Sequence, residues 1–451
     1  MRPSKSSPPR IDLPTGLPAH ETAPLETRKR ISQMDNIAIE PRENLNATVR
    51  IPGSKSCTAR ALVMAGLTKG RTVLADPAHC DDTDYMLAGL LALGAAAERD
   101  GKRSITIDSS GLTPPRAPLF LGNSGTAMRF LTAACATIQG EAVLDGTRRM
   151  RERPISDLLH ALQRWGVDAR SETGCPPVTV RSTGGFGGET SIRGDASSQY
   201  LTGLLLVAPM ATAPARIVVE GELVSKPYIE LTLTMMRERG VEVEQEGYQA
   251  FDIADGQAYA PGTYAIEADA SGASYFLAAP AIAGGRVRVE NLPPDSHQGD
   301  VRFADVLGRM GCEVNKGEDW IEVASTGSLR GVDVDLNAMP DMAQTLAVTA
   351  LFAEGPTTIR NVANLRIKEC DRISASVTEL RKLGAEVEEF DDGMTIHPRP
   401  LTGVAIDTYD DHRMAMSFAM AGLRVPGVVI NAPHCVSKTF PDFFERFQAL
   451  R

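Results

Sequence analysis

One structural unit recurs six times along this chain, and that period constrains the fold more than any single motif does. A cluster of small or polar residues opens an apolar, Ala-rich helix at Ser54, Ser124, Ser197, Ser271, Asp341 and Asp411, in steps of 70 to 74 residues. A second marker keeps the same step. Five amphipathic helices stop at Leu93-Gly94, Trp165-Gly166, Arg239-Gly240, Met310-Gly311 and Leu383-Gly384, 71 to 74 residues apart. Glycine just past a helix supplies the left-handed residue that ends it. Two independent markers sharing one period make coincidence a poor explanation.

Each unit has room for two helices and about four short strands. The period is too long for a solenoid repeat or for one βα step of a (β/α)₈ barrel. A chain of 451 residues exceeds one typical core, so two domains of roughly 200 residues are expected. Three units then fill each. The reading is an α/β protein with residues 54–267 as one domain, and residues 34–53 with 268–451 as the other. Two chain crossings, near 53 and 268, would form a hinge. The strand-like stretch at 37–51 is left over at the start, while the sixth unit, ending in a helix at 441–450, lacks its last strands. The first would complete the second. One helix per unit is apolar all round and should be buried; the other is amphipathic and should lie on its sheet. Six helix starts would then converge on the gap between domains. Residues 1–33 are rich in Pro, Ser, Arg and Lys without periodicity. They read as a disordered tail, with no apolar core of a secretory signal.

Net charge is −10, which argues against nucleic acid as a partner; any basic surface must be local. The seven cysteines are scattered, with no Cys-x-x-Cys pair. Neither a zinc site nor a disulfide framework is indicated, and a reducing compartment, the cytoplasm, fits. No apolar run approaches the roughly 18 residues that a membrane span needs. The Gly-x-x-x-x-Gly-Lys-Ser/Thr phosphate loop and the Gly-x-Ser-x-Gly elbow are both absent. His412 has no partner at metal-ligand spacing and reads as structural.

The basic residues instead gather at the helix starts and adjoining loops: Lys55, Arg60, Arg129, Arg149, Arg153, Lys368, Arg372, Arg413 and Lys438. A helix start offers unpaired N–H groups and partial positive charge. Several of them with these cations would hold a small polyanion carrying phosphate and carboxylate groups. Singly, each also reads as an ordinary surface ion pair, and Arg151 reads best that way. Asp341, after Met339-Pro340, reads equally as a plain helix N-cap. Glu369 sits between Lys368 and Arg372, which should lower its pKa.

From about Met34 to Leu450 the chain resembles the 5-enolpyruvylshikimate-3-phosphate synthase family. The residues that carry the resemblance are Pro-Gly-Ser-Lys-Ser (52–56) with Arg60, Leu-Gly-Asn-Ser-Gly-Thr-Ala-Met-Arg (121–129) and Arg-Met-Arg-Glu-Arg-Pro-Ile (149–155). Ser-Ser-Gln (197–199), Ser-Lys-Pro-Tyr (225–228), Pro-Asp (340–341), Lys-Glu-Cys-Asp-Arg (368–372), Asp-His-Arg-Met-Ala-Met (411–416) and Lys-Thr-Phe-Pro-Asp (438–442) continue it. It implies two domains, each an inside-out barrel of three βαβαββ units. It also implies enolpyruvyl transfer from phosphoenolpyruvate to shikimate 3-phosphate, with no metal or organic cofactor, by a monomer.

By this resemblance Lys55, Ser56, Arg60, Ser197, Ser198, Gln199, Ser225, Tyr228, Asp341, Asn364 and Lys368 hold shikimate 3-phosphate. Lys55, Asn123, Gly125, Arg153, Gln199, Arg372, Arg413 and Lys438 hold phosphoenolpyruvate. Asp341 is the expected base, Glu369 the expected acid, and Lys55 the third catalytic group. The family is the target of glyphosate; Gly125 leaves room for it, while Phe130 stands where close relatives often carry proline. Cys57 and Cys370, beside ligand positions, read as small spacers. The nearest rival is transfer to UDP-N-acetylglucosamine, whose family has Lys-Asn where this chain has Lys55-Ser56. RNA 3′-phosphate cyclisation would need a nucleic-acid surface, and a non-catalytic homologue would have lost the cleft charges.

Overall fold

The computed structural model describes residues 34–451; the tail expected over residues 1–33 lies outside the described residues. Twelve α-helices occur among the described residues. They are α1 (Lys55–Leu67), α2 (Asp81–Ala92), α3 (Gly125–Ala134), α4 (Ser156–Arg164), α5 (Ser198–Val207), α6 (Lys226–Arg237), α7 (Ala270–Ala283), α8 (Phe303–Arg309), α9 (Ala343–Ala350), α10 (Arg372–Leu383), α11 (His412–Ala419) and α12 (Phe443–Gln448). The odd-numbered helices are the apolar ones. Every residue of α3, α9 and α11 is buried, and α1 hides all but Lys55 and Ser56. The even-numbered helices bury one face; α4, for example, hides Leu158, Leu159, Ala161 and Leu162. All five stop glycines, 94, 166, 240, 311 and 384, have φ between +81° and +110°, the region only glycine enters freely.

Five of the six small sheets follow one plan, and the sixth has a single antiparallel strand in place of the final hairpin. A strand leads into the buried helix, a second strand returns parallel to the first, the amphipathic helix follows, and an antiparallel hairpin completes the unit. In the second unit Leu119–Phe120 pairs parallel with Gln139–Asp145, which pairs antiparallel with Val178–Thr183, itself joined to Asp168–Arg170. Parallel neighbours need a crossover, which the buried helix provides.

The first strand of each domain's first unit comes from elsewhere in the chain. Thr263–Ala265 pairs parallel with Gly70–Ala75 of the first unit. The leftover stretch at 37–51 divides in two. Asn36–Ala38 completes the sixth unit against Val429–Asn431, as expected, but Leu45–Arg50 pairs parallel with Gly285–Glu290 of the fourth. Both placements cover an edge that would otherwise expose unpaired N–H and C=O groups.

Two separate cores result. One contains residues 57 to 266; the other combines residues 37 to 51 with 268 to 450. Each fully buried aliphatic side chain stabilises its core by about 1.5–3 kcal/mol before chain entropy is subtracted. The crossings between them are hydrogen-bonded to each other. The Ser54 N–H donates to Glu267 O at 2.7 Å, the Asp269 N–H donates to Pro52 O at 2.9 Å, and Gly53 bridges Ala268. A Cβ at Gly53 would fall 2.0 Å from Asp76 O, so this approach requires glycine. Among the described residues no helix is long and apolar enough to cross a membrane.

Four of the six marker residues are helix caps and two are not. Ser54, Ser124, Ser197 and Asp411 do cap their helices. In the fourth unit the cap is Asp269, two residues before Ser271. Asp341 caps nothing; it lies inside a 3₁₀ turn, Pro340–Met342, ahead of α9. Pro340, with its fixed φ and no N–H, starts that turn one residue earlier, and this frees the Asp341 carboxylate.

Candidate active site

The starts of α1, α7 and α11 line a cleft between the cores, with Lys55, Ser56, Ser271, Tyr275 and Arg413 on its walls. Arg372, the first residue of α10, is 2% exposed and organises the carboxylates beside it. Its Nη1 donates to Asp341 Oδ1 at 2.9 Å and its Nη2 to Glu369 Oε2 at 2.9 Å. Its Nε reaches Asp411 Oδ2 at 2.7 Å. Arg413 Nη2 takes the other oxygen of Asp341 at 2.6 Å, and its Nη1 donates to Tyr275 Oη at 3.3 Å. Glu369 Oε1 stands 3.8 Å from Arg153 Nη1 and 3.7 Å from Lys438 Nζ. Lys438 also donates to Asp82 Oδ1 at 2.5 Å and to Asn123 O at 2.9 Å; Arg153 Nη1 reaches the same carbonyl at 3.2 Å. Lys55 Nζ lies 3.5 Å from Asp82 Oδ2. Charges this deeply buried persist only when paired.

These pairings set the protonation states. Burial pushes Asp341 up, but Arg413, Arg372, Lys368 and Lys55 outweigh it and hold the carboxyl well below the usual carboxylate range. Glu369 behaves alike: burial is overcome by Arg372, Arg153 and Lys438, and the carboxyl ends well below its ordinary value. Burial lowers Lys368 to about 8, partly offset by Asp341. Burial brings Arg153 down to about 10, and Arg60 to about 10 as well. Asp300 is raised to about 6 by burial and by neighbouring Asp341, against Arg413. Burial holds the Cys57 thiol up near 12 and raises Cys370 further. Neither thiol is an available nucleophile at neutral pH. Burial drives His412 well below its usual value, and its ring nitrogens have no hydrogen-bond partner.

The cleft is crossed by contacts between the two cores. Arg149 donates from Nε to Glu369 O at 3.0 Å and from Nη2 to Lys368 O at 2.9 Å. Tyr228 Oη donates to Asp300 at 3.1 Å, and Ser225 Oγ accepts from Asn364 Nδ2 at 3.5 Å. Ser225 sits at φ +58°, a strain of the kind found at functional positions.

Most of the expected site residues fall into three groups. Lys55, Asn123, Arg153, Asp341, Glu369, Arg372, Arg413 and Lys438 form one network. Lys368 adjoins it through charge. Ser225, Tyr228 and Asn364 tie the cores together. Ser197, Ser198 and Gln199 form the start of α5, and Gln199 reaches Thr126 Oγ1 at 3.5 Å. Arg60 is buried among protein partners: it donates to Thr232 Oγ1, Ser56 O and Tyr228 O at 2.8 to 3.0 Å, and lies 5.7 Å from the Phe130 ring. A Cβ on Gly125 would meet Arg153 Nη2 at 2.6 Å and Arg129 Nη1 at 2.7 Å. Arg129 donates to Pro154 O and props the loop carrying Arg153. Arg151 pairs with Asp145 outside the cleft, as read.

Asp82, Asp300 and Asp411 were missed as site members. Asp81-Asp82 looks like ordinary acid at a helix start, Asp411 like a cap alone, and Asp300 carries no local signal.

Known proteins resemble this chain over nearly its whole length. The family model of EPSP synthase (3-phosphoshikimate 1-carboxyvinyltransferase) matches residues 39–447. The 3-phosphoshikimate 1-carboxyvinyltransferase of Thiobacillus denitrificans (strain ATCC 25259 / T1) is 50% identical over 424 residues, covering 92% of this chain and 99% of that one. The protein of that name from Marinomonas sp. (strain MWYL1) is 48% identical, covering 92% and 100%. The solved EPSP synthase from Acinetobacter baumannii matches with a TM-score of 0.77 at 25% identity, covering 91% and 97%. The enolpyruvyl transferase NikO from Streptomyces tendae shares the fold, with a TM-score of 0.73 at 21% identity and coverage of 92% and 98%. With a family match over nearly its whole length and relatives about half identical to it, the chain belongs to the EPSP synthase family.

Proposed function

We propose that this enzyme transfers the enolpyruvyl group of phosphoenolpyruvate to the 5-hydroxyl of shikimate 3-phosphate and releases phosphate. This is a step of the shikimate pathway to aromatic amino acids. The observation that carries the reading is the Arg372 guanidinium held between the Asp341 and Glu369 carboxylates inside a belt of cations. The reaction needs a base at the acceptor hydroxyl and an acid at the donor methylene, both beside cations for phosphate and carboxylate.

In the addition step the acceptor oxygen attacks C2 of phosphoenolpyruvate. Asp341 takes its proton, and Glu369 gives one to C3. In the elimination step Glu369 takes a proton back from C3, the C2–O bond to phosphate breaks with Lys55 stabilising the departing anion, and the proton held by Asp341 passes to the released phosphate. Arg153, Arg372, Arg413 and Lys438 hold the donor, with Asn123 and Gly125 shaping its end of the cleft. Ser56, Ser197, Ser198, Ser225, Asn364 and Lys368 hold the acceptor. Gln199 lies between the two, Tyr228 closes the acceptor side, and Arg60 acts from beneath by bracing Ser56 and Tyr228. In this scheme the donor's carboxylate and phosphate draw Arg372, Arg413, Arg153 and Lys438 away from the two carboxylates. That raises both pKa values toward working range. The full cation set lies on one chain, which supports a monomer, and the cytoplasm is where its phosphorylated substrates would be met.

The test is phosphate release from phosphoenolpyruvate with two acceptors offered separately. Release with shikimate 3-phosphate alone is expected. Release only with UDP-N-acetylglucosamine would refute the acceptor assignment, and silence with both would favour a non-catalytic homologue.

A further inference from the structure

The turn that delivers Asp411 to the cleft has an unfavourable backbone. Tyr409 and Asp410 both have φ +55°, a region L side chains avoid. Two such residues in succession persist only where their surroundings over-determine them. The group that does so is Glu379, whose side chain is fully buried. Its Oε1 accepts from Tyr409 Oη at 2.6 Å and from Lys382 Nζ at 2.9 Å, and its Oε2 accepts the Asp407 N–H at 3.2 Å. Lys382 continues to Asp407 Oδ2 at 2.7 Å, and Asn431 Nδ2 holds the other Asp407 oxygen at 2.9 Å. On the far side of the turn Thr408 O accepts the Asp411 N–H at 2.8 Å. Asp411 then caps α11 and grips Arg372 Nε at 2.7 Å and Nη2 at 3.2 Å. Arg372 and Glu379 stand on the same helix, α10, two turns apart. One face of one helix thus carries the guanidinium and also fixes the strained turn that presents the guanidinium's partner.

We propose that Glu379 and Tyr409 are positioning residues: their hydrogen bond holds the 407–410 turn in its left-handed form, which sets Asp411 and, through it, the direction of Arg372. Neither residue lines the cleft. The kinetic part of the inference rests on the enolpyruvyl-transfer reading, in which Arg372 holds phosphoenolpyruvate. A merely structural staple between α10 and the sixth unit would instead lower stability without favouring one substrate over the other.

Tyr409→Phe separates the two. It removes one hydrogen bond from a residue that is 41% exposed, so the fold survives. Wild type, Tyr409→Phe and Glu379→Gln are compared by steady-state kinetics in both substrates and by thermal melting. The Arg372 Nε–H NMR signal, assigned with Arg372→Lys, is followed in parallel. For Tyr409→Phe the KM for phosphoenolpyruvate is expected to rise about tenfold, as for small displacements of a binding group. The KM for shikimate 3-phosphate stays within about twofold, Tm is unchanged, and the Arg372 Nε–H signal shifts and exchanges faster with solvent. Glu379→Gln keeps an acceptor for Tyr409 but turns an amide N–H toward that of Asp407, so it shows the same split, enlarged. An unmoved Arg372 signal in Tyr409→Phe overturns the proposal, as does a loss shared equally by both substrates. Absence of turnover in wild type would sink the functional reading alone, because the Arg372 signal still decides the positioning.

Discussion

Arg372 Nη1 stands 2.9 Å from Asp341 Oδ1, so the proposed base is tied to a guanidinium that is also proposed to hold the donor. Arg413 holds the opposite oxygen. Substituting Asp341→Asn removes the base and also frees two cations. The expected outcome is a fall in kcat of about 10²- to 10⁴-fold, the usual worth of a positioned base. Affinity for phosphoenolpyruvate should hold or tighten. Steady-state phosphate release checks both, and a weakened donor KM would contradict the pairing described.

Glu369 is held well below its ordinary pKa by Arg372, Arg153 and Lys438 against burial, the wrong direction for an acid. The sign should reverse when anions occupy those cations. Carbon-13 titration of Glu369 is expected to show a low pKa in the free protein and a markedly higher one with both substrates or an unreactive pair bound. An equal pKa in both states would rule out ligand-driven protonation.

Lys368 is lowered to about 8 chiefly by burial. Below that pH the ammonium is charged; as pH rises through it, the free enzyme loses a cation for the acceptor phosphate. The kcat/KM for shikimate 3-phosphate, which reports the free enzyme, should therefore fall on an alkaline limb near 8. Lys368→Arg keeps its charge at higher pH and should move that limb upward. A limb that stays in place assigns it to another group.

Gly125→Ala places a methyl 2.6 Å from Arg153 Nη2 and 2.7 Å from Arg129 Nη1. Both guanidiniums sit at the ends of flexible side chains, so the fold should tolerate the change while the donor subsite does not. The expected result is a KM for phosphoenolpyruvate raised about tenfold or more, because displacement of a binding group by a fraction of an ångström is costly. The acceptor KM should be nearly unchanged, and inhibition by glyphosate weakened.

Arg149 clasps the carbonyls of Lys368 and Glu369 from the opposite core. Arg149→Ala should favour separation of the two cores about the 53/268 hinge. Small-angle scattering of substrate-free protein is expected to show a larger radius of gyration than wild type, with added substrates restoring compaction. Identical curves for both proteins would place the closing force elsewhere.

The repeat was legible because its markers act locally. Gly94, Gly166, Gly240, Gly311 and Gly384 each end a helix through their own φ, and Ser54, Ser124 and Ser197 each cap one through a neighbour two or three residues away. The same local logic left Asp341 readable as a cap, but Pro340 moved the start of the turn and released the carboxylate to partners 31 and 72 residues away. It also sent the whole 37–51 stretch to one unit, when Leu45–Arg50 had a better edge to cover in another.

The chain by itself therefore determined the six-fold period, the alternation of buried and half-buried helices, the family, and most of the cations around the cleft. Each of these is written in residue types at short spacing. Only the tertiary structure decided which cation meets which carboxylate. Asp82 pairs with Lys438 across 356 residues, Tyr228 with Asp300 across 72, and Arg149 with the backbone of Glu369 across 220. Such pairings depend on how two separately built cores come together, and charge attraction has no sequence period from which they could be read.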